Sequence, residues 1–119
     1  MQKKNSLGNF SKFLKKRQEQ TQLAAQEAVR RQVLLKSLGP LFLKYGISRA
    51  YAFGSVLNAA CRKDSDLDLY VEDLHPSSYW ELWKELENQT GERVDLYCQR
   101  DERNFIQKIK ERGQLIYEA

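Results

Sequence analysis

The sequence has few of the residues that build disulfide frameworks, zinc sites or histidine-based catalysis. Its two cysteines, Cys61 and Cys98, form no CxxC motif and have no metal-ligand spacing. We expect both to be reduced thiols. The single histidine, His75, precedes a proline and has no second histidine to pair with. We expect it to be a loop residue rather than a catalytic base.

Long apolar runs are also absent. No stretch approaches the roughly 18 to 20 consecutive apolar residues that a membrane helix requires. The N-terminus lacks the apolar core of a signal peptide, so we expect a cytoplasmic protein without membrane contact. With 119 residues, 41% hydrophobic and 30% charged, the chain fits one ordered domain with a modest core.

Proline and glycine are absent from residues 10–38, which are rich in good helix formers. This composition predicts a long N-terminal helix with Ser11 as its N-cap. The polar stretch 15–22 separates an apolar patch at Phe10, Phe13 and Leu14 from the later apolar positions. We therefore expect the beginning of the helix to stand away from the body.

The net charge of +4 is unevenly distributed. Residues 1–36 contain nine basic and two acidic residues, whereas residues 37–119 contain eleven basic and fourteen acidic residues. We divide the chain into a basic N-terminal arm and helix, 1–33, and a domain, 34–119. The arm has three interpretations: a solvated face, a nucleic-acid contact, or a contact with a partner protein or a second copy. The apolar residues beside its lysines favour a homo- or hetero-oligomeric contact over phosphate binding.

Turn residues and hydrophobic periodicity predict the remaining elements. Gly39-Pro40 predicts a break near Leu38, with a helix resuming to about Lys44 and ending at Gly46. Later helices are expected at 56–61, from the Ser78 capping box to Asn88, and from an Asp101 cap to Gly113; strands are expected at 47–53, 67–72, 92–98 and 114–117. The alternation of helix and strand predicts an α/β (α+β) fold, with a mixed sheet of about four strands flanked by helices.

Three aspartates lie at corresponding places in two predicted strands. Side chains alternate along a strand, so Asp66 and Asp68 share one face, whereas Leu67, Leu69 and Val71 share the other, which is expected to face the core. Asp95 joins the two aspartates if the next strand is a neighbour. Three carboxylates on one rigid surface are the ligands that two magnesium ions need to clamp a triphosphate. Upstream, Gly54 permits close approach to a phosphate, and Ser55 opens a short predicted helix that favours an anion.

Gly54-Ser55, a gap of ten residues, Asp66-x-Asp68 and the later Asp95 resemble the signature of DNA polymerase beta-type nucleotidyltransferases. The small size and the ending GQLIYEA are similar to the minimal nucleotidyltransferase antitoxins of HEPN/MNT toxin–antitoxin pairs. The resemblance covers residues 34–119. This chain has no arginine immediately after Gly54-Ser55, so Arg62 and Lys63 are the expected nucleotide-binding cations.

The resemblance implies a magnesium-dependent transferase that moves AMP from ATP to a tyrosine of a HEPN-type toxin. Asp66 and Asp68 would bridge two Mg²⁺ ions, and Asp95 would complete the site and accept the hydroxyl proton. Gly54 and Ser55 would hold the terminal phosphates. An alternative is an antitoxin or assembly subunit that neutralises its partner by binding alone. A third is a nucleotidyltransferase acting on RNA ends, guided by the basic arm.

Overall fold

The computed structural model describes residues 2–54 and 66–119, with side chains from Phe10 onward. The predicted helix at 56–61 and loop at 62–65 lie outside the described residues. The elements in chain order are α1 Gln2–Lys36, α2 Gly39–Lys44, β1 Arg49–Phe53, β2 Leu67–Val71, a 3-10 turn Pro76–Ser78, α3 Tyr79–Thr90, β3 Val94–Cys98, α4 Arg103–Arg112 and β4 Gln114–Glu118. None of the described helices has the length and apolar character needed to cross a bilayer.

The four strands form one mixed sheet in the order β3-β2-β1-β4. Strand β1 pairs antiparallel with β2 and with β4, and β2 pairs parallel with β3. A parallel pair needs a crossover connection, and α3 provides it. The predicted α/β fold with a mixed four-stranded sheet and a long N-terminal helix is confirmed.

One face of the sheet carries the main core. Leu67, Leu69 and Val71 of β2 are fully buried, as the alternation predicted. They pack with side chains from the end of α1, from α2 and from α3, of which Leu35 and Leu82 are examples. This layer of helices fixes the position of β2 beside β3.

The opposite face of the sheet is covered by α4. Tyr51, Tyr70 and Ile109 are buried there, with Phe105 and Tyr97 packed against them. Because α4 lies over this group, the two strand tyrosines serve packing. Tyr70 shares this face with Asp68, because the two residues are two positions apart on β2.

Helix α1 begins earlier than expected. It starts at Gln2, so Ser11 lies inside the helix and the prediction of an N-cap there is wrong. A run of residues that all favour helix does not show by itself where the helix begins. The N-cap was therefore assigned to the wrong residue. The predicted break is confirmed, since α1 ends at Lys36 and α2 begins at Gly39 with proline in its first turn.

The two halves of α1 differ in burial. Residues 10–23 are exposed, in agreement with the expectation that the first part stands away from the body. Ala28, Arg31 and Leu35 are buried against the domain. The helix runs without interruption across residue 33, and the division into an arm, 1–33, and a domain, 34–119, stays a prediction.

Several predicted details of helix ends are wrong. Ser78 makes no side-chain cap to α3; a 3-10 turn precedes that helix, and the backbone N–H of Ser77 donates to His75 Nδ1 at 3.2 Å. Asp101 does not cap α4, because its carboxylate accepts a hydrogen bond from Cys98 N at 2.8 Å. Helix α3 extends to Thr90, beyond the predicted end at Asn88. Gly91 follows it in the left-handed conformation and forms the C-cap.

Candidate active site

The parallel pairing of β2 and β3 places Asp68 directly beside Asp95. Asp66 immediately precedes β2 and lies two residues from Asp68, on the same side of the chain by strand alternation. The sheet therefore places two of the three aspartates that the sequence singled out side by side, with Asp66 on the same side of β2.

Asp68 is a half-buried carboxyl with an unusual pKa. Burial, the charge and hydrogen bond of the neighbouring Asp95, and the charge of Asp66 together raise the pKa of Asp68 to about 6. The charge of Arg31 has the opposite effect. Burial and like charge both disfavour an ionised carboxylate, so this pair favours a proton or a cation between its oxygens.

Asp66 has a different partner. Its Oδ1 lies 3.1 Å from Nε of Arg93, the residue that precedes β3. Within residues 10–54 and 66–119, no three His, Cys, Asp or Glu side chains are arranged as a metal-binding group. The Asp68 and Asp95 oxygens suit a hard divalent cation.

Gly54 lies at the end of β1, against Asp68. Its φ of +80° belongs to the left-handed region, and a Cβ built at this position would overlap the Asp68 carboxylate. The neighbouring Phe53 pairs with Asp68 in the β1–β2 register. Only glycine lets the backbone pass this close to Asp68, and the expected approach of Gly54 to a phosphate stays a prediction.

The other three predicted nucleotide-binding residues, Ser55, Arg62 and Lys63, lie outside the described residues. Their role stays a prediction. The same holds for the expected substitution of Arg62 and Lys63 for an arginine following Gly54-Ser55.

Arg31 is a charged residue near the site that sequence reasoning missed. Its side chain is fully buried, and its guanidinium Nη2 lies 3.2 Å from Oε2 of Glu92, just before β3. It also lies near enough to Asp68 to lower the pKa of that carboxyl. The signal was an arginine placed between Ala28 and Leu35 on the apolar face of α1, because a charge in that position requires an acidic partner.

The aromatic residues near the site are packed rather than open. Tyr70 is buried beneath α4, and its hydroxyl donates to Glu72 at 3.2 Å. Burial, together with Glu72, raises the pKa of Tyr70. Tyr79 and Trp83 pack against the main core, whereas Trp80 is 69% exposed.

A mixed four-stranded sheet, an acidic pair on adjacent strands and a glycine turn against that pair define a nucleotidyltransferase-type domain. A family described as polymerase beta, nucleotidyltransferase matches residues 36–119. The chain belongs to this family. Residues 1–35 lie outside the match, and no curated protein sequence is significantly similar to the chain.

Solved toxin–antitoxin structures share this fold. A toxin–antitoxin structure with AMP-PNP matches with a TM-score of 0.58 and 21% identity, covering 76% of this chain and 73% of that chain. An MntA–HepT complex gives a TM-score of 0.56 and 21% identity, covering 74% and 73%. A tri-AMPylated Shewanella oneidensis HEPN toxin in complex with an MNT antitoxin gives 0.50 and 21% identity, also covering 74% and 73%. The predicted membership of the nucleotidyltransferase family is confirmed by the family match, and these structures show that minimal nucleotidyltransferases of toxin–antitoxin pairs share the fold.

Proposed function

We propose that this protein is an antitoxin that transfers AMP from ATP to a tyrosine hydroxyl of a HEPN-type toxin. The observation that carries the proposal is the pair of Asp68 and Asp95, held side by side with Gly54 against it. Such a pair suits a cation bound to phosphate oxygens. Two similar structures agree with this chemistry, one with AMP-PNP and one containing a tri-AMPylated HEPN toxin.

The residues divide the reaction between them. Two Mg²⁺ ions, when bound, neutralise charge that develops on the phosphates. Asp66, Asp68 and Asp95 would hold them through carboxylate oxygens. Asp95 accepts the proton of the acceptor hydroxyl. The hydroxyl oxygen forms a bond to the α-phosphorus while the bond between that phosphorus and the bridging oxygen breaks, and pyrophosphate leaves.

Residues at the end of β1 and in the segment that follows it bind the nucleotide. Gly54 brings the backbone close to the phosphates, and Ser55 adds its N–H and hydroxyl. Arg62 and Lys63 supply positive charge, the first as a planar fork and the second as a point charge. These four assignments extend the resemblance residue by residue.

The arm is the proposed contact with the toxin. A stripe along α1 recurs at intervals of four and three residues and comprises Phe10, Leu14, Arg17, Thr21, Ala24, Ala28, Arg31 and Leu35. Its last three members are buried against the domain and its first four are exposed. The exposed part continues a face that already packs in this protein, which is typical of a helix completed by another helix.

Charge favours a toxin over a second arm. Four basic residues lie in this exposed segment, Lys12, Lys15, Lys16 and Arg17, and two such segments would repel each other. An acidic partner surface removes that repulsion. Leu14→Asp is expected to weaken the toxin complex by ten-fold or more while thermal stability stays unchanged. Unchanged affinity together with unchanged oligomeric state would refute the contact, and loss of a homodimer instead would assign the stripe to a second copy.

Intact-mass spectrometry tests the transfer. A HEPN partner incubated with this protein, ATP and magnesium is expected to gain about 329 Da, the residue mass of AMP, or a multiple of it. Peptide mapping then identifies the modified hydroxyl. The gain should disappear with Asp68→Asn and persist with Asp73→Asn, an exposed carboxylate outside the site.

The second candidate is neutralisation by binding alone. The ion pair between Asp66 and Arg93 favours it, because one of the three carboxylates is occupied. A pure binder would protect against the toxin equally well with Asp68→Asn. An unmodified toxin in a stable complex, with protection retained, would establish this alternative.

A further inference from the structure

A cavity of about 340 Å³ lies between the end of β1 and α4. Phe53, Phe105 and Ile109 form its apolar wall, and Gly54 forms part of its border. Because Gly54 also lies against the Asp68 carboxylate, the cavity adjoins the acidic pair. A ligand can therefore extend from the aspartates into this space along the backbone of Gly54.

Two cations border the cavity. Lys108 and Arg112 are one helical turn apart on α4, so they project from the same side of the helix. Neither makes an ion pair or hydrogen bond with any other side chain that the structure describes. Lys110, between them, behaves differently, because its Nζ lies 2.7 Å from Glu72 Oε2. Lys108 and Arg112 are thus available to an anion.

The order of the strands places this cavity on the side of Asp68 that is opposite Asp95. Asp95 on β3, Asp68 on β2 and Gly54 at the end of β1 lie in sequence across the sheet, with neighbouring strands about 4.8 Å apart. In an in-line displacement the attacking and leaving oxygens lie on opposite sides of phosphorus. If Asp95 receives the acceptor's proton, the leaving group departs toward Gly54 and the cavity.

We infer that Lys108 and Arg112 bind the pyrophosphate end of the nucleotide, a role that rests on the proposed transfer of a nucleotidyl group. The two side chains neutralise the β- and γ-phosphates, and the arginine can do so with two N–H donors. They add positive charge to that proposed for Arg62 and Lys63. Phe53 and Phe105 keep water from one side of the phosphates.

A structural explanation competes with this one. Cations in the last turn of a helix interact favourably with its C-terminal dipole, and Arg112 occupies the last turn of α4. That explanation predicts a small loss of stability and no effect on anions. It also leaves Lys108, a turn earlier, without a role.

Calorimetric titration distinguishes the anion site from the structural explanation. The ligands are inorganic pyrophosphate, ATP and AMP, each with magnesium and without toxin. Lys108→Ala/Arg112→Ala is expected to lose about ten-fold or more in affinity for pyrophosphate and for ATP. Affinity for AMP, which lacks the pyrophosphate end, should change by less than about three-fold. The matched control, Lys84→Ala/Arg103→Ala, removes two exposed positive charges away from the cavity and should leave all three affinities unchanged.

Unchanged pyrophosphate affinity in the cavity variant would overturn the inference, as would an equal loss for AMP and pyrophosphate. An equal loss in the control variant would also overturn it, since the effect would then be one of net charge. The titration requires no transfer chemistry. A protein that binds pyrophosphate through these residues but transfers no AMP would refute the proposed function and leave the anion site established.

Discussion

The two faces of strand β2 perform different tasks with alternating residues. Leu67, Leu69 and Val71 are fully buried on the core face, whereas Asp68 is half-buried on the other. Burying a leucine side chain stabilises the fold by about 1.5–3 kcal/mol. A half-buried carboxylate beside a second one opposes folding, as the pKa of about 6 for Asp68 indicates. One strand therefore supports the sheet and at the same time carries a destabilising group.

The contrast indicates why the candidate site depends on its opposite face. A rigid backbone is needed to hold two repelling carboxylates in register, since free chains would move them apart. Leu69 lies next to Asp68 in sequence and anchors the strand from the core side. Substitutions on the two faces should consequently separate function from stability.

The largest expected effect is on transfer, from Asp68→Asn. Removing the charge that is proposed to bind metal should lower AMP transfer by about 100-fold or more. The free energy of unfolding should stay equal or increase, because the repulsion with Asp95 is removed. Toxin mass spectrometry and urea denaturation measure the two quantities.

Asp73→Asn is the matched control for that experiment. Asp73 is exposed and has a positive φ of 66°, which asparagine tolerates, so the substitution changes the same charge without strain. Wild-type transfer by Asp68→Asn would contradict the role of the acidic pair. A large loss of stability would contradict the contrast between the two faces.

The next effect concerns the core face. Leu69→Ala should lower the free energy of unfolding by about 2–5 kcal/mol, because it leaves a cavity among fully buried side chains. Transfer per folded molecule should be nearly unchanged. Urea denaturation with a parallel activity assay tests both statements. Leu115→Ala on β4, where the side chain is 44% exposed, should cost clearly less.

Gly54→Ala tests the contact between the end of β1 and the Asp68 carboxylate. The added Cβ would overlap the Asp68 carboxylate at a left-handed backbone position. We expect a loss of about 1–3 kcal/mol in unfolding free energy and a lower rate of transfer, since Asp68 must move. Gly46→Ala has a similar φ of +69° but meets nothing within 4 Å, so it isolates backbone strain. Equal effects on transfer in the two variants would refute the importance of the contact with Asp68.

Strand alternation explains how much of this arrangement was predictable from sequence. Period-two patterns identified Leu67, Leu69 and Val71 as core and placed Asp66 and Asp68 on one face. The position of Asp95 was predicted on the condition that its strand is the neighbour of β2, and the structure meets this condition. Each of these inferences needs only local geometry and the short distance along the chain between paired elements.

Contacts between distant parts of the chain were not predictable in this way. Arg31 reaches Glu92, 61 residues later, and no periodicity indicates that pairing. The contact of Asp66 with Arg93 depends on the side-chain conformations of two residues that precede neighbouring strands. The cavity bounded by Phe53 and α4 likewise depends on how a helix crosses a sheet, which is a tertiary property.

The smallest expected effect is a dependence of stability on pH in metal-free protein. The folded-state pKa of Asp68, about 6, lies above its ordinary value of 3.8. Between these values the folded state holds a proton that the unfolded state has released. The contribution of Asp68 is therefore present below pH 3.8 and is lost as the pH rises through about 6.

The loss should be about 1 kcal/mol, since solvent reaches this half-buried group and reduces the effect. The groups that set it are Asp95 and Asp66, which raise the pKa, and Arg31, which lowers it. Urea denaturation in a chelator at a series of pH values measures the slope. Subtracting the pH profile of unfolding free energy for Asp68→Asn removes the contribution of all other carboxyl groups. Identical profiles for the two proteins would show that the acidic pair does not destabilise the fold.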